Sequence, residues 1–366
     1  MSRRTPATTD SIFAKALELQ PVSADEALKL YIEAPLAELL AAGYELRQTH
    51  RPGIEVGWII DRNVNITNIC YSCCSFCAFC RKKGSSEGYI TTREEYRDKI
   101  EELFRAGGEQ LLLQGGMHPD LGLDFYTTLF SDLKREYPGL KLHALGPPEI
   151  VSLAKREGLS YRKVLEALVS AGLDSLPGAG AEILSNRVRK ILSPAKATAG
   201  EWIGVMRVAH AMRLPTTATM MFGHIERIDE RIDHLIKLRE LQNESSGEGG
   251  GFTAFIPWPC ITPDNKRESG PISDTGREEY LRLISVSRIV LNNITNIQAS
   301  LLTVGPDTAA MSLHAGANDL GSVLIEENVL SSAGGGYRTD PEGIKGIITA
   351  AGFLPVRRDQ LYRPVE

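Results

Sequence analysis

From about residue 55 onward, short apolar runs alternate with amphipathic stretches along the chain. Each run is short and β-prone, which is the pattern of a buried strand, whereas stretches such as REEYRDKIEELFRAGG and EWIGVMRVAHAMRL have helical periodicity. Strand-then-helix units repeated in this way predict an α/β fold, a (β/α)8 TIM-type barrel of parallel strands. The eight runs are VNITNI (64–69), QLLLQ (110–114), LKLHAL (140–145), LDSLP (173–177), TTATMM (216–221), FTAFIP (252–257), NIQASLL (296–302) and ANDLGS (317–322).

The segment before these units has a different pattern. Residues 12–43 are predicted to be helical, with Ser23 and Glu26 placed as a capping box and Gly43 as a helix stop. We therefore expect an N-terminal helical extension over residues 1–50 and a barrel with a C-terminal segment over residues 51–366. The eighth run is the weakest, so the pattern alone leaves open a barrel with fewer strands.

Polar residues collect where the predicted strands end, which is the end of a barrel that carries its chemistry. Cysteines follow the first run, Gln114, Gly115, Gly116 and His118 follow the second, and His143 sits near the end of the third. Glu182, His224 and Trp258 follow the fourth, fifth and sixth. Scattered polar residues would not collect at one end of so many strands, so we expect a single site at this end.

Composition narrows the class of protein. The 366 residues carry a formal net charge of −5, and lysine and arginine are spread along the chain. This distribution argues against a nucleic-acid surface and favours a small-molecule partner. The N-terminus lacks the apolar stretch of a signal peptide, and the longest apolar runs are too short to span a bilayer. These features predict a cytoplasmic protein without a membrane partner, whose cysteines stay reduced and bind metal.

Five of the six cysteines fall between Cys70 and Cys80. In a zinc site, Cys70/Cys73 and Cys77/Cys80 would be two knuckles, but the connector between them is far shorter than the roughly 15 to 20 residues usual for such sites. In an iron-sulfur site, Cys70, Cys74 and Cys77 form C-x3-C-x2-C and ligate three irons of a [4Fe-4S] cluster, leaving the fourth iron open. Cys73, Cys77 and Cys80 spell the same motif, so a second register stays possible.

A C-x3-C-x2-C motif with an aromatic residue, Phe76, before its last cysteine, on the loop after the first barrel strand, resembles the radical S-adenosylmethionine (SAM) superfamily. The resemblance implies that the amino and carboxylate groups of SAM bind the open iron. It also implies that reductive cleavage of SAM gives a 5′-deoxyadenosyl radical. Flavodoxin or ferredoxin is the expected electron donor.

Further segments, among them LLLQGGMHPDL, HALGPPEI, LDSLPGAGAEIL and GFTAFIPW, resemble the dehypoxanthine futalosine cyclase family of the menaquinone pathway. This resemblance implies hydrogen abstraction from the ribose of dehypoxanthine futalosine and attack of the ribose radical on the benzoate ring. Aminofutalosine synthase and the deazaflavin-forming synthases share the cluster motif and remain alternatives. A zinc-binding structural protein is the alternative of another class. Cys73 and Cys80 depart from the family pattern.

The positions of residues at the predicted strand ends, together with the resemblance, suggest roles for individual residues. Glu149 and three histidines are candidates for substrate binding or for taking the final proton, although each histidine is about as well explained as structural. Glu149 and Glu182 could instead be carboxylates at the start of a helix, and Lys196 could be a solvated surface lysine, without a role in binding or catalysis. The expected cluster ligands are Cys70, Cys74 and Cys77; the expected SAM-binding residues are Phe76, Gln114, Gly115, Gly116, Glu182 and Lys196; the catalytic candidates are His118, His143, His224 and Glu149.

Overall fold

A computed structural model describes residues 7–245, 250–261, 275–329, 331–333 and 336–365. The first three helices precede the barrel: α1 (Thr9–Leu17), α2 (Ala24–Glu33) and α3 (Leu36–His50). Ser23 and Glu26 form the predicted capping box at the start of α2. Gly43 does not end a helix, because α3 continues through it. A Cβ at Gly43 would lie 2.2 Å from the carbonyl oxygen of Ala315, so this glycine allows α3 to pack closely on the barrel.

The strands pair in parallel. Strand β2 pairs with β3 and β3 with β4, while β5 pairs with β6 and β6 with β7. Single bridges at Ser175 and Leu176 join β4 to β5, and a bridge from Gln298 to Asp319 joins β7 to β8. The strands are β1 (Glu55–Ile59), β2 (Asp61–Asn65), β3 (Gln110–Gln114), β4 (Lys141–Ala144), β5 (Pro215–Phe222), β6 (Gly251–Pro259), β7 (Asn296–Ile297), β8 (Asp319–Ser322) and β9 (Leu354–Arg357).

The ring closes through the first segment of the barrel. Strand β8 pairs with β1, which runs directly into β2, and the backbone N–H of Ile325 donates to the carbonyl oxygen of Asp61. We call each of the eight strand positions around the barrel a stave; β1 and β2 together form the first. Residues 175–176 occupy the fourth strand position, between β4 and β5, so the predicted eight-stranded (β/α)8 barrel is confirmed. The first strand is shifted, because β2 ends at Asn65 and residues 66–69 already belong to the loop that bridges to Ile90.

Helices alternate with the strands and cover the outside of the barrel. Many of them begin at a side-chain cap; Thr92 and Glu95, for example, form a capping box at the start of α4. The helices are α4 (Arg93–Arg105), α5 (Leu123–Glu136), α6 (Pro147–Glu157), α7 (Tyr161–Ala171), α8 (Asn186–Leu192), α9 (Ala199–Ala211), α10 (Ile228–Ser245), α11 (Arg277–Val290), α12 (Leu301–Leu313) and α13 (Pro341–Ala350). In the part of the chain that the structure describes, no helix is long and apolar enough to cross a membrane.

Strand periodicity divides the interior into a core and a cavity. In β3, Leu111 and Leu113 are fully buried in the hydrophobic core, whereas Gln110, Leu112 and Gln114 line a cavity inside the barrel. Successive side chains of a strand point to opposite faces, so one strand serves both regions. The sequence of each stave therefore decides what the cavity contains.

The C-terminal segment closes one end of this cavity. Strand β9 pairs in parallel with β1, and the chain then continues across the barrel. Gln360 accepts a hydrogen bond from the Ser175 hydroxyl, and the Tyr362 hydroxyl donates to Gln298. Ser175 and Asp61 stand where their staves begin, so the segment covers the N-terminal end of the barrel.

Candidate functional site

A cavity of about 390 Å³ runs through the barrel interior from the cysteine loop to the C-terminal segment. Cys70, Cys74 and Cys77 line it at the carboxyl ends of the strands, and Arg358 and Tyr362 line it at the opposite end. Cavities of this size hold small organic ligands. The barrel therefore encloses one site with two chemically different ends.

The cysteine loop separates its five thiols into two groups. Cys73 and Cys80 are joined in a disulfide, with their Cα atoms 5.5 Å apart, while Cys70, Cys74 and Cys77 are outside it. The expectation that every cysteine in this loop is reduced is therefore wrong for this pair. The loop folds back on itself and brings positions 73 and 80 together. The pairing supports the Cys70, Cys74 and Cys77 register, because the alternative register needs both disulfide sulfurs.

Backbone and amide contacts fix the base of this loop. The N–H of Cys70 donates to the carbonyl oxygen of Arg81 at 2.9 Å, and the N–H of Arg81 donates back to Asn68 at 2.8 Å. The Asn68 side chain also bonds the carbonyl oxygen of Glu87 and the N–H of Tyr89. Asn68 is buried, so its amide groups are committed to these contacts. The loop is thus held at both ends, as a ligand-bearing loop requires.

The three remaining cysteines fit an iron-sulfur cluster better than zinc. A tetrahedral zinc site with four cysteine ligands needs Cys73 and Cys80, which bond to each other. Within the described ranges, no three His, Cys, Asp or Glu side chains are grouped closely enough to hold a single metal ion. A four-iron cluster carries its irons at the corners of a cube, so its thiolate ligands stand wider apart than those of one ion. Three cysteines on one cavity wall match that donor set.

Two glycines let the end of β3 approach the cysteine loop. A Cβ at Gly116 would lie 2.3 Å from the carbonyl oxygen of Ile69, and one at Gly115 would lie 2.8 Å from that of Thr67. Both glycines line the cavity beside Gln114. Only a residue without a side chain allows this approach, so the pair has a geometric reason beyond an ordinary turn.

A buried charge cluster lies next to the cysteines. The Lys196 ammonium bonds the Glu182 carboxylate at 2.9 Å and sits 5.5 Å from the centre of the Phe76 ring. Burial opposes ionisation of Glu182, but Lys196, Arg189 and His224 together outweigh it and lower the pKa of that carboxyl group. The lysine side chain is only 18% exposed, so it is not a solvated surface residue. Lys196 and Phe76 line the cavity, while Glu182 lies behind the lysine.

Glu149 lines the same part of the cavity from the first turn of α6. Burial raises the pKa of its carboxyl group to about 7, although Lys196 opposes the shift. A carboxyl group with a pKa near neutrality can exchange a proton under ordinary conditions. Glu149 therefore combines the helix-start position with a cavity-facing, proton-exchanging group.

Of the three candidate histidines, His143 lies in the cavity. Its Nδ1 is 2.6 Å from the Ser175 hydroxyl, and burial lowers the pKa of its imidazole to about 3. His118 accepts a hydrogen bond from the N–H of Asp120, outside the lining residues. The His224 side chain is fully buried, with its Nδ1 2.7 Å from Glu226. One of the three predicted histidines therefore lines the cavity, whereas His118 and His224 contact residues of their own loops, Asp120 and Glu226.

Several cavity residues do not appear in the sequence prediction. Asp61 and Gln110 come from the starts of β2 and β3, and Arg358, Gln360 and Tyr362 come from the C-terminal segment. Gln110 could have been found, because it stands at even spacing from Gln114 on the same face of β3. The other four lack such a signal, because the first strand was placed too late and the segment after the eighth run has no barrel periodicity.

Two family descriptions match the chain. The first, Radical SAM superfamily, covers residues 64–238, and the second, CofH/MqnC C-terminal region, covers residues 249–366. The cysteine loop lies in the first region and Arg358, Gln360 and Tyr362 lie in the second. Both descriptions therefore cover residues that line the cavity.

Curated relatives divide between two names. Cyclic dehypoxanthine futalosine synthase of Streptomyces coelicolor is 39% identical over 93% of this chain and 85% of its own length. The protein of that name from Halalkalibacterium halodurans is 38% identical over 96% and 94%. A 5-amino-6-(D-ribitylamino)uracil--L-tyrosine 4-hydroxyphenyl transferase of Methanosarcina mazei is 38% identical over 100% and 94%. Overall identity does not separate the two groups.

Solved structures share the fold at low identity. Methylornithine synthase (PylB) superposes with a TM-score of 0.69 at 19% identity, covering 95% of this chain and 98% of its own. The [FeFe]-hydrogenase maturase HydG superposes with a TM-score of 0.72 at 16% identity, covering 98% and 78%. These matches support the barrel architecture along nearly the whole chain.

Proposed function

The chain belongs to the radical SAM superfamily, in the branch that carries the CofH/MqnC C-terminal region, and we propose that it cyclises dehypoxanthine futalosine in menaquinone biosynthesis. The observation that carries the chemistry is the meeting of Cys70, Cys74 and Cys77 with the Gly115–Gly116 turn in one cavity. Two relatives named cyclic dehypoxanthine futalosine synthase support the choice of substrate. The expected localisation is the cytoplasm, and the expected electron donor is a flavodoxin or ferredoxin.

Enzymes of this superfamily use a [4Fe-4S] cluster and SAM, and when bound these supply a 5′-deoxyadenosyl radical that abstracts a hydrogen atom from the substrate. We assign Cys70, Cys74 and Cys77 to the cluster. Their shared cavity wall and the fixed loop base support this assignment.

The residues beside the cysteines have the chemistry to hold an amino acid moiety. Lys196 can meet a carboxylate, and the Gln114 carbonyl groups can accept from an ammonium group. Glu182, behind Lys196, holds the lysine ammonium in place at 2.9 Å. Gly115 and Gly116 leave room for close backbone approach, and Phe76 supplies an apolar face beside Lys196. We propose that these six residues position SAM against the cysteine loop.

Ring closure leaves a radical on the arene, which regains aromaticity by losing one electron and one proton. The electron would return to the oxidised cluster, and we propose that the Glu149 carboxylate takes the proton from the arene carbon that forms the new bond. Its pKa of about 7 allows it to be ionised before the transfer and protonated afterwards. His143, with a pKa of about 3, stays neutral throughout and is a much weaker base. Without a place in the cavity wall, His118 and His224 are proposed only as supports of their loops.

A second candidate is the 4-hydroxyphenyl transferase activity named for the Methanosarcina relatives, which are as similar to this chain as the futalosine relatives are. Anaerobic turnover separates the two. The cyclase hypothesis predicts 5′-deoxyadenosine and a cyclic product from dehypoxanthine futalosine and SAM. It predicts no product from L-tyrosine and 5-amino-6-(D-ribitylamino)uracil. The reverse pattern would replace the cyclase by the transferase, and incorporation of the adenosyl group into product would indicate an aminofutalosine synthase instead.

A further inference from the structure

The end of the cavity opposite the cysteines is a polar surface that the proposed chemistry does not use. We define the floor as Asp61, Gln110, His143, Arg358, Gln360 and Tyr362, all of which line the cavity. Three of these residues come from the C-terminal segment and three from the starts or middle of barrel strands. A buried polar surface of this kind is retained where a ligand, or a closed internal network, satisfies it.

Gln110 has an acceptor that the protein leaves unsatisfied. The residue is 5% exposed, and its Nε2 donates to the Asp61 carboxylate at 3.1 Å. Its Oε1 is buried and has no hydrogen-bond partner among the described residues. A buried carbonyl oxygen without a donor is costly, so a donor from a bound molecule would stabilise it.

His143 presents a second acceptor. Where the Ser175 hydroxyl donates its single proton to Gln360 at 3.2 Å, its 2.6 Å contact with His143 places a proton on the histidine Nδ1. The ring is neutral, because burial and the nearby Arg358 lower the pKa of the imidazole to about 3. With its one proton on Nδ1, the ring has a bare Nε2 that can only accept.

The cation of the floor is committed within the protein. Arg358 bonds both carboxylate oxygens of Asp319, and its remaining nitrogen donates to the carbonyl oxygen of Asp359. Its guanidinium group also stacks 3.6 Å from the centre of the Tyr362 ring. Beside it, Asp61 adds another carboxylate. An anionic group of a ligand would therefore meet carboxylates and bare acceptors, whereas hydroxyl groups would find acceptors for their protons.

We propose that the floor is a subsite for the hydroxyl-bearing sugar end of the substrate, where Gln110 Oε1 and His143 Nε2 accept hydrogen bonds from sugar hydroxyls. This inference rests on the proposed cyclase function. The sugar hydroxyls at C1′ and C2′ lie across the ring from C4′, so holding them at the floor turns C4′ toward the cysteine end. The C-terminal segment thus sets the orientation of the substrate, and the benzoate lies away from the floor.

The test compares ligands on the wild-type protein. Isothermal titration uses anaerobic, cluster-loaded protein with SAM and without reductant, so that no turnover occurs. The probes are dehypoxanthine futalosine, its analogues lacking the C1′ or C2′ hydroxyl, and an analogue lacking the benzoate carboxylate. Loss of a hydrogen bond to a buried acceptor is expected to raise Kd about tenfold for at least one deoxy analogue.

Two variants connect that loss to the floor. Gln110→Leu and His143→Phe should each raise Kd for the parent compound about tenfold. Each variant should then bind the parent compound no more tightly than the same variant binds the corresponding deoxy analogue. His314→Gln, at an exposed histidine outside the cavity lining, should keep the wild-type preference.

The outcomes separate the two proposals. Equal affinity of the wild-type protein for the parent and both deoxy analogues would overturn the floor subsite while leaving the cyclase function in place. A preference retained in both floor variants would also overturn it. Failure of the wild-type protein to bind dehypoxanthine futalosine would overturn the cyclase function, and the subsite with it.

Discussion

Replacing Glu149 by glutamine tests the buried carboxyl group that we assign as proton acceptor. The amide keeps the size and shape of the side chain and its place in the first turn of α6. It removes the ionisable group, whose pKa burial raises from 4.5 to about 7. The change should therefore alter how folding stability depends on pH, and separately how often hydrogen abstraction leads to cyclic product.

The sign of the stability effect follows from the direction of the shift. A carboxyl group with a raised pKa in the folded state loses its proton less readily there than in the unfolded chain, so wild-type stability falls as pH rises from 4.5 to 7. A shift from 4.5 to about 7 corresponds to roughly 3 kcal/mol above pH 7. Between pH 5 and pH 8, the stability of Glu149→Gln relative to wild type should therefore rise by about 2 to 3 kcal/mol.

The assay is urea unfolding of wild type and variant at pH 5 and pH 8, under identical anaerobic conditions. Glu101→Gln, at an exposed position of α4, is the matched control and should show no such change. Turnover gives the second readout: Glu149→Gln should still form 5′-deoxyadenosine but little cyclic product. In wild type, the yield of cyclic product per 5′-deoxyadenosine should rise as pH passes through 7, because the acceptor must be ionised.

Two results would refute this reasoning. Equal stability differences at pH 5 and pH 8 would show that Glu149 does not have a raised pKa. Full coupling of 5′-deoxyadenosine to cyclic product in Glu149→Gln would show that another group takes the proton.

Other parts of the site give shorter predictions. Cys70→Ala should abolish the cluster, whereas Cys80→Ala should keep about four irons per chain, as measured by iron analysis and absorbance; the opposite result would move the cluster to the other register. Gly116→Ala should lower cluster content, because its Cβ would lie 2.3 Å from the Ile69 carbonyl oxygen, while Gly139→Ala, with no atom within 4 Å of its Cβ, should not; equal iron content would remove the steric argument. Substrate deuterated at C4′ should give deuterated 5′-deoxyadenosine by mass spectrometry, and unlabelled 5′-deoxyadenosine with normal product yield would exclude abstraction at C4′.

Hydrophobic periodicity predicted the eight staves, because alternation of two faces leaves a strong signal even in a short strand. It placed the first strand too late, because residues 66–68 are buried and Ile66 and Ile69 are apolar, and yet residues 66–69 form the loop held by the bridge from Thr67 to Ile90. A buried irregular segment and a buried strand have the same composition. The predicted cluster loop was therefore set directly after the strand, whereas Cys70 stands five residues beyond Asn65.

The direction in which a side chain points was harder to predict than the end of the barrel at which the residue lies. Inside a strand, parity decides the direction: Leu142 and Ala144 are buried in the core, and His143 between them faces the cavity. Beyond the end of a strand, parity no longer applies, so His118 and His224 could be located at the correct end of the barrel but not oriented. The C-terminal residues escaped prediction because their contacts are to strands far away in sequence.

The arrangement of the cysteines has a consequence for radical chemistry. A thiol S–H bond is weak, so an unmodified cysteine beside a carbon radical would return a hydrogen atom to it and end the reaction before ring closure. Cys80 lines the cavity, and its sulfur is bonded to Cys73. The three other cysteines of the loop are assigned to the cluster as thiolates. Two hydroxyl groups of the cavity wall also have partners within the protein: Thr217 Oγ1 accepts from the Gly178 N–H, and Thr219 Oγ1 donates to the Gly178 carbonyl oxygen. The loop can therefore carry five cysteines next to a substrate radical, because ligation and disulfide formation together remove their S–H bonds from the cavity.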